Sequence, residues 1–533
     1  MDNLTNKAIP RSKLNSQSGA SVIVVGAGHN GLVAATLLAR QGLNVTVIEE
    51  RALVGGAAKT EYLFTRAPGL GTSSGSYLLG VMPPEILERM SAQVRLIRRD
   101  PHYFLPTLDG RYLLFGSDKN AMREQFVKFF SAADWRANEA LNLEIGQIRD
   151  DLAPSWLEEP LSVEQTAEIY IRPALREIFI QLVTQPTENY LARFGFQSEL
   201  LTAMYAVTDG FSGLAGSFGT PGTGMNFLVH NMCRLPGSDG TFMIAEGGMG
   251  SITQEFARLA TEAGVKIRTG IAVEKISTSG LPGQLRADGV VLKNGEELKA
   301  DVVLCNSDPF RLRQLVGAAK LPAAFNSKLN GFERRGTTMK VNLALSRLPA
   351  FKCLPENRGQ HNGTIHLLPS GPNIMQKITH GFKEAQAGRL ADFPTIEWYI
   401  HTQADPSLQD REGRHNSAFF VQWVPYELSA STWEKEEARY VKHLFSIAEE
   451  FAPGFTESVV EYSALTPPKI EQHFGITWGH IHHVDNTFGF DQRMPYATPI
   501  EGLYSCSAGC HPAGSVIGAA GHNSANRIVR DLK

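Results

Sequence analysis

The chain has 533 residues, 43% of them hydrophobic and 20% charged, with a net charge of −3 and an isoelectric point near 6.6. That exceeds one ordinary core, and length alone allows roughly three domains of a folded, water-facing protein rather than a disordered or fibrous one. A nearly balanced charge without a long basic run excludes nucleic acid as an electrostatic partner, and no apolar run of about 18 residues announces a spanning helix.

Five cysteines are too few to staple a secreted fold and fit a reducing compartment. Residues 1–19 are polar, set Lys7, Arg11 and Lys13 against Asp2, and show neither an apolar leader core nor an amphipathic pattern. They read as a disordered tail.

Ordered structure is expected from Ser21. SVIVV (21–25) is an apolar, β-branched run, as in a parallel strand buried on both faces. It leads into GAGHNG, where Gly26, Gly28 and Gly31 form G-x-G-x-x-G; Leu32–Gln41 reads as a helix stopped by Gly42, and Asn44–Ile48 as a second strand ending at Glu49 and Glu50. Gly26 permits the tight turn, Gly28 lets backbone approach a pyrophosphate, and Gly31 lets helix and strand pack closely. The helix start offers free N–H groups and about half a positive charge to phosphates, and Glu49 can accept from ribose hydroxyls. A second pair, Gly55-Gly56, followed by Ala57-Ala58, provides another approach free of side chains. NAD sites generally lack that doublet and FAD sites carry it, so FAD is the expected cofactor.

Residues 118–205 read as helical, with apolar residues at three-and-four spacing over Asn120–Ala132, Trp135–Asp150, Ser162–Tyr170 and Arg172–Leu182. Their Met, Phe and Ile side chains fit a core or the wall of an apolar channel, and periodicity does not separate the two. DGFSGLAGSFGTPGTG has glycine at every third position from Gly210 to Gly222, without the proline of a collagen helix. A backbone-exposing loop beside a ligand and a plain connector are equal readings. Next come a helix at Ser251–Ala263, strands at Lys266–Thr269 and Ala272–Ser277, a hairpin turning at Asn294-Gly295, and a buried strand Asp301–Cys305 ending at Asn306. Met339–Leu345, Gly363–Leu368, Ile396–Thr402 and Ala418–Val424 alternate as strands of a mainly antiparallel sheet.

Two motifs are set aside. GTSSG (71–75) matches a nucleophile elbow but lacks the apolar strand before Ser73. GHIHHVD (479–485), if extended, puts His480 and His482 on one face and His483 and Asp485 on the other, with no further ligand nearby; these read as polar histidines, and no metal is expected. The chain closes with a strand Leu503–Ser507, a turn Ala508–Gly514 and a helix Val516–Leu532, a strand–turn–helix unit aimed at a ligand. Cys506 in the strand and Cys510 in the turn are poorly set for a disulfide. Both read as reduced, Cys506 buried and Cys510 near the flavin ring.

GAGHNGLVAA, E-x5-GGAA, FGTPGTG, EGGMG, the strand ending in Asn306 and GLYSCSAGCHPAGSVIGAAGHNSA together resemble the phytoene desaturase-related flavoproteins, from about residue 20 onward. The resemblance implies an α/β protein: a glutathione-reductase-type FAD-binding Rossmann domain (20–85, 237–310 and 484–533) carrying an inserted α+β substrate domain of antiparallel sheet and helices (86–236 and 311–483). It implies FAD contacts from Gly26, Ala27, Gly28, Asn30, Gly31, Glu49, Glu50, Gly55, Gly56, Ala57 and Asn306. Val273 would meet the adenine end through its backbone, and Gly509, Val516 and Ile517 would face the isoalloxazine end. His483 and His511 are the candidates for a catalytic role. Where carotene desaturases often place arginine after the glycine doublet, this chain has Ala57; Ala513 and Ser515 stand where their final loop is richer in glycine.

The implied function is an FAD-dependent oxidoreductase taking hydride from an apolar small-molecule substrate, reoxidised by a quinone or O2. The alternatives are a flavin amine oxidase, which needs an aromatic cage, and an FAD-bound scaffold or regulator with little turnover. The resemblance further implies a role in mitochondrial or respiratory function, a soluble intracellular location (cytoplasmic in a bacterium, matrix in a eukaryote) and peripheral membrane contact, although no basic amphipathic helix stands out. Substrate, electron acceptor and oligomeric state are not written in the sequence.

Overall fold

A computed structural model describes residues 19–533; the tail expected over 1–19 lies, but for Gly19, outside them. Ser21–Val25 (β1), His29–Arg40 (α1) and Asn44–Ile48 (β2) form the first βαβ unit. β1 lies between β2 and Val302–Cys305 in a five-stranded parallel sheet, completed by Leu503–Ser505 on one edge and Lys266–Arg268 on the other. Side chains alternate across β1. Val22 and Val24 pack under α1, while Ile23 and Val25 face an antiparallel layer of Val273–Ser279, Arg286–Leu292 and Glu297–Lys299. Leu32 and Val33 of α1 are wholly buried, each burial contributing about 1.5–3 kcal/mol.

The four strands expected farther on belong to a seven-stranded sheet ordered Val459–Leu465, Thr338–Leu345, His415–Gln422, Thr395–Tyr399, Thr364–Leu367, Tyr103–Pro106, Tyr112–Phe115. Every pairing is antiparallel except Thr364–Leu367 beside Tyr103–Pro106. One face, with Met339, Val341 and Leu343, packs on the helix Trp433–Phe451; the other turns Lys340, Glu397 and Tyr399 toward a cavity. A helical layer from Lys119–Phe129 to Thr223–His230 covers that side. Ser131 and Ser162 cap Ala132–Leu152 and Val163–Tyr170, the latter with a full capping box.

Among the boundaries that differ from expectation, three bear on the site. α1 begins at His29 rather than Leu32, because Gly28 itself is the cap residue. The last helix begins at Ala519 rather than Val516, because Gly518 at its cap takes a left-handed conformation, φ +79°. The strand before it stops at Ser505, which leaves Cys506 just past its end. No helix among the described residues is long and apolar enough to cross a membrane.

Candidate functional site

A cavity of about 1000 Å³ runs from the glycine turns, past the seven-stranded sheet, to the helical layer. At its inner end the backbone is drawn in tightly. A Cβ on Gly28 would lie 2.9 Å from Asn306 Nδ2, and one on Gly31 would lie 2.3 Å from the Gly26 carbonyl oxygen. Gly55 takes φ +118° and bridges to Gly28. Glu49 is fixed at the end of β2, one carboxylate oxygen accepting from Ala27 N–H at 2.8 Å and the other from Arg51 N–H at 2.9 Å.

This end fits a dinucleotide cofactor. The N-terminus of α1 has no side-chain cap, so its N–H groups remain available to a phosphate. His29 Nε2, Asn30 Oδ1 and His483 Nδ1 line the cavity, are buried and have no hydrogen-bond partner in the protein. Burial, followed by the charge of His483, lowers the His29 pKa to about 4, so its imidazole is neutral.

Farther along, the wall becomes a buried polar centre. The Tyr399 hydroxyl donates to Glu397, whose other oxygen lies 3.6 Å from His366 Nε2; His366 Nδ1 is 2.7 Å from the Tyr103 hydroxyl. Asp209 sits on a π-turn, Ala206–Gly210, and accepts from Asn231 Nδ2 at 3.2 Å. Burial raises its pKa to about 7. Lys340, 4% exposed, donates to the carbonyls of Ser73 and Gly75 and stands 4.4 Å from the Tyr77 ring centre. Burial holds its ammonium well below the usual lysine range. Arg99, also 4% exposed, donates from Nε to the Phe242 carbonyl at 3.0 Å and from Nη1 to Thr364 Oγ1 at 2.9 Å. Beyond it Phe115, Met122, Trp135 and Ile145 line the way to a rim at Lys119, Glu139 and Leu143.

Of the residues singled out from sequence, Gly26, Gly28, Asn30, Glu49, Glu50, Gly55, Gly56, Ala57, Val273, Asn306, Val516 and His483 line this cavity. Ala27, Gly31, Gly509, Ile517 and His511 do not. The Ala27 N–H is taken by Glu49, and Gly31 lies one turn inside against Gly26. The Gly509 N–H is bound to Ser507 Oγ at 3.1 Å, and Ile517 belongs to the helical core. His511 packs edge-on to Phe490 and places Nε2 3.1 Å from the Ser155 carbonyl oxygen, behind the cavity wall; it is a core histidine, and the catalytic role expected for it has no geometric basis. Cys510 also turns inward, its sulfur 3.4 Å from Ser505 Oγ, so the turn presents Ala508 rather than Cys510 to the cavity. All five cysteines are free thiols.

The histidine segment is not extended as expected: the chain turns at His483, φ +60°, and His480 Nε2 pairs with Asp485 at 3.2 Å. Arg493, 1% exposed, donates to the carbonyls of Val484, Asp485, Ala508 and Cys510 at 2.9–3.2 Å, clasping this turn to the last loop. The glycine-rich stretch 209–224 adjoins the cavity through Asp209 and Ser212.

Sequence reasoning did not find Tyr77, Arg99, Asp209, Lys340, Glu397 or Tyr399. The one available signal was Lys340, a lone charge in the middle of TMKVNLAL.

Comparison with known proteins agrees with this geometry. The family described as "Flavin containing amine oxidoreductase" matches residues 31–368. The chain is 34% identical to "Pyridine nucleotide-disulfide oxidoreductase domain-containing protein 2" of Mus musculus, across 97% of this chain and 96% of the mouse protein. It is 28% identical to the "zeta-carotene-forming phytoene desaturase" of Myxococcus xanthus, across 91% and 87%. In fold it matches the crystal structure of an oxidoreductase from Methanosarcina mazei with a TM-score of 0.62 at 18% identity, over 96% of this chain and all of that one. A capless helix start, a glycine doublet packed against it and a ribose-ready carboxylate thus carry a flavin's signature into a known family: the chain belongs to the flavin-containing amine oxidoreductases and is an FAD-dependent oxidoreductase.

Proposed function

We propose that the protein oxidises a C–H bond of an apolar organic substrate, as a desaturase or dehydrogenase does, with a quinone or O2 as the final electron acceptor. The observation that carries this reading is the continuity of the cavity: one space joins the glycine cradle, the buried polar centre and the apolar entrance. FAD held by the Gly26–Gly31 turn, Glu49 and Gly55-Gly56 would supply the acceptor for one hydrogen and its electron pair.

The chain's own residues do the rest. Phe115, Met122, Trp135 and Ile145 orient an apolar chain, and the helical layer excludes water. In a desaturation two C–H bonds break and one C=C bond forms, so a second hydrogen must leave as a proton. Asp209 faces the cavity with a pKa near 7, suited to accept that proton. The amine-oxidase reading needs two rings with room between them, about 7 Å for an atom in contact with both. Tyr77 and Tyr399, two of the tyrosines that line the cavity, have ring centres 4.4 Å apart and tilted by 49°, so these two rings touch each other and leave no such gap.

The visible spectrum of the purified protein, before and after anaerobic NADH and NADPH, tests the reading. A flavin band that nicotinamides leave intact, and that quinone or O2 restores after photoreduction, supports it. A band bleached by NADH makes the protein a reductase instead. Stoichiometric FAD with no turnover on any donor makes it a scaffold. A cytoplasmic location in a bacterium, or a matrix location in a eukaryote, belongs to the same proposal and is read by fractionation.

A further inference from the structure

We propose that Arg99 anchors a carboxylate, so that the substrate is an apolar chain ending in an acid; this rests on the reading that the cavity is the substrate site. Arg99 brings a positive charge into the interior with no carboxylate in direct contact among the described residues. Its two bonds go to a carbonyl and a hydroxyl, both neutral, and it forms no ion pair among the described residues. The other deeply buried arginine among the described residues, Arg493, is saturated by four carbonyls. The cavity-lining Arg311 pairs with Glu50 at 3.1 Å. Among the described residues Arg99 alone combines burial, a place on the cavity wall and guanidinium N–H groups left over. A buried charge is costly unless a partner completes it, and a planar fork of N–H donors matches a carboxylate.

The neighbours narrow the choice. Tyr77, Tyr399 and Glu397 lie within electrostatic reach of Arg99. Glu397 is already engaged by the Tyr399 hydroxyl and lies 3.6 Å from His366, so it is poorly free to bind an ammonium. One guanidinium carries a single charge, which matches a monoanion better than a phosphate dianion. Phe242, whose carbonyl Arg99 holds, starts the apolar wall that continues through Phe115 and Trp135 to the rim. A head group at Arg99 therefore leaves its chain running toward the entrance.

Calorimetric titration of the FAD-loaded protein with octanoate, octylamine, 1-octanol and octyl phosphate tests this without turnover. Octanoate is expected to bind tightest, and Arg99→Met to weaken it by about tenfold or more while the flavin spectrum and the binding of 1-octanol stay as they were. Arg99→Lys should recover part of the loss. No octanoate binding, an equal or stronger response to octylamine, 1-octanol or octyl phosphate, or an unchanged octanoate affinity in Arg99→Met overturns the anchor. Should Arg99→Met fail to fold, the order of the four ligands on the native protein still decides. Octanoate bound through Arg99 with no oxidation of any acid sinks the desaturase or dehydrogenase reading alone; turnover of neutral hydrocarbons without preference for acids sinks the anchor alone.

Discussion

The glycine cradle and the polar centre share one cavity but are written into the chain in opposite ways. The cradle is almost contiguous, from Val25 to Ala58, with Asn306 added from another strand end and Val516 from the loop before the last helix. The polar centre draws Tyr77, Arg99, Asp209, Lys340, Glu397 and Tyr399 from scattered loops, strands and a π-turn. Where the backbone makes the contact, side chains must be absent at set spacings, and the sequence shows it locally. Where side chains make the contact, their neighbours are chosen only by the fold.

Substitutions that sharpen this contrast fall in a clear order. Gly31→Val in the cradle should have the largest effect, since a Cβ there meets the Gly26 carbonyl at 2.3 Å. Loss of the flavin band together with loss of soluble protein is expected; a flavin-replete variant would break the claim that packing at this turn is obligatory. Arg493→Met comes next. It removes the donor to four buried carbonyls and should lower stability by at least about 3 kcal/mol in a urea titration.

Asp209→Asn should act mainly through pH. The Asp209 carboxyl titrates at 3.8 when unfolded and about 7 when folded. Its stabilising contribution is fully present below pH 3.8 and is lost as pH rises through about 7. The variant should therefore gain thermal stability relative to the parent across that window, and lose turnover while keeping its flavin. A flat difference in Tm would show that Asp209 is not perturbed. The smallest effect belongs to Cys506→Ala and Cys510→Ala. Both thiols are buried and free, Cys510 with its pKa raised to about 11, so these two should resist alkylation in the native protein and either variant should leave the flavin spectrum unchanged.

Legibility follows the same division. The first βαβ unit, the Val302–Cys305 strand and the core of the antiparallel sheet were readable because buried strands need runs of apolar, β-branched residues. The flanking strands Tyr103–Pro106, Tyr112–Phe115 and Val459–Leu465 were not: YFLP and YLLF show no apolar–polar alternation, and the third is largely half-exposed. In the site, Gly28 and Glu49 announced themselves by spacing. Arg99 hid in RLIRRD, which looks like a solvated charge run until the fold buries one of its members. His511 misled for the complementary reason: its place in a ligand-facing loop says nothing about which way its ring turns, and here it turns to Ser155.

The strand order of the parallel sheet bears on how the protein is made. Leu503–Ser505 pairs with Val302–Cys305 at one edge, and Val516 supplies part of the cavity wall, so the cofactor cleft closes only with residues from the last stretch of the chain. A ribosome that has already released β1, α1 and β2 has produced a phosphate cradle with no far wall. Flavin capture thus waits for residues far downstream of the cradle, and the free edge of Val302–Cys305 must be sheltered until Leu503 arrives.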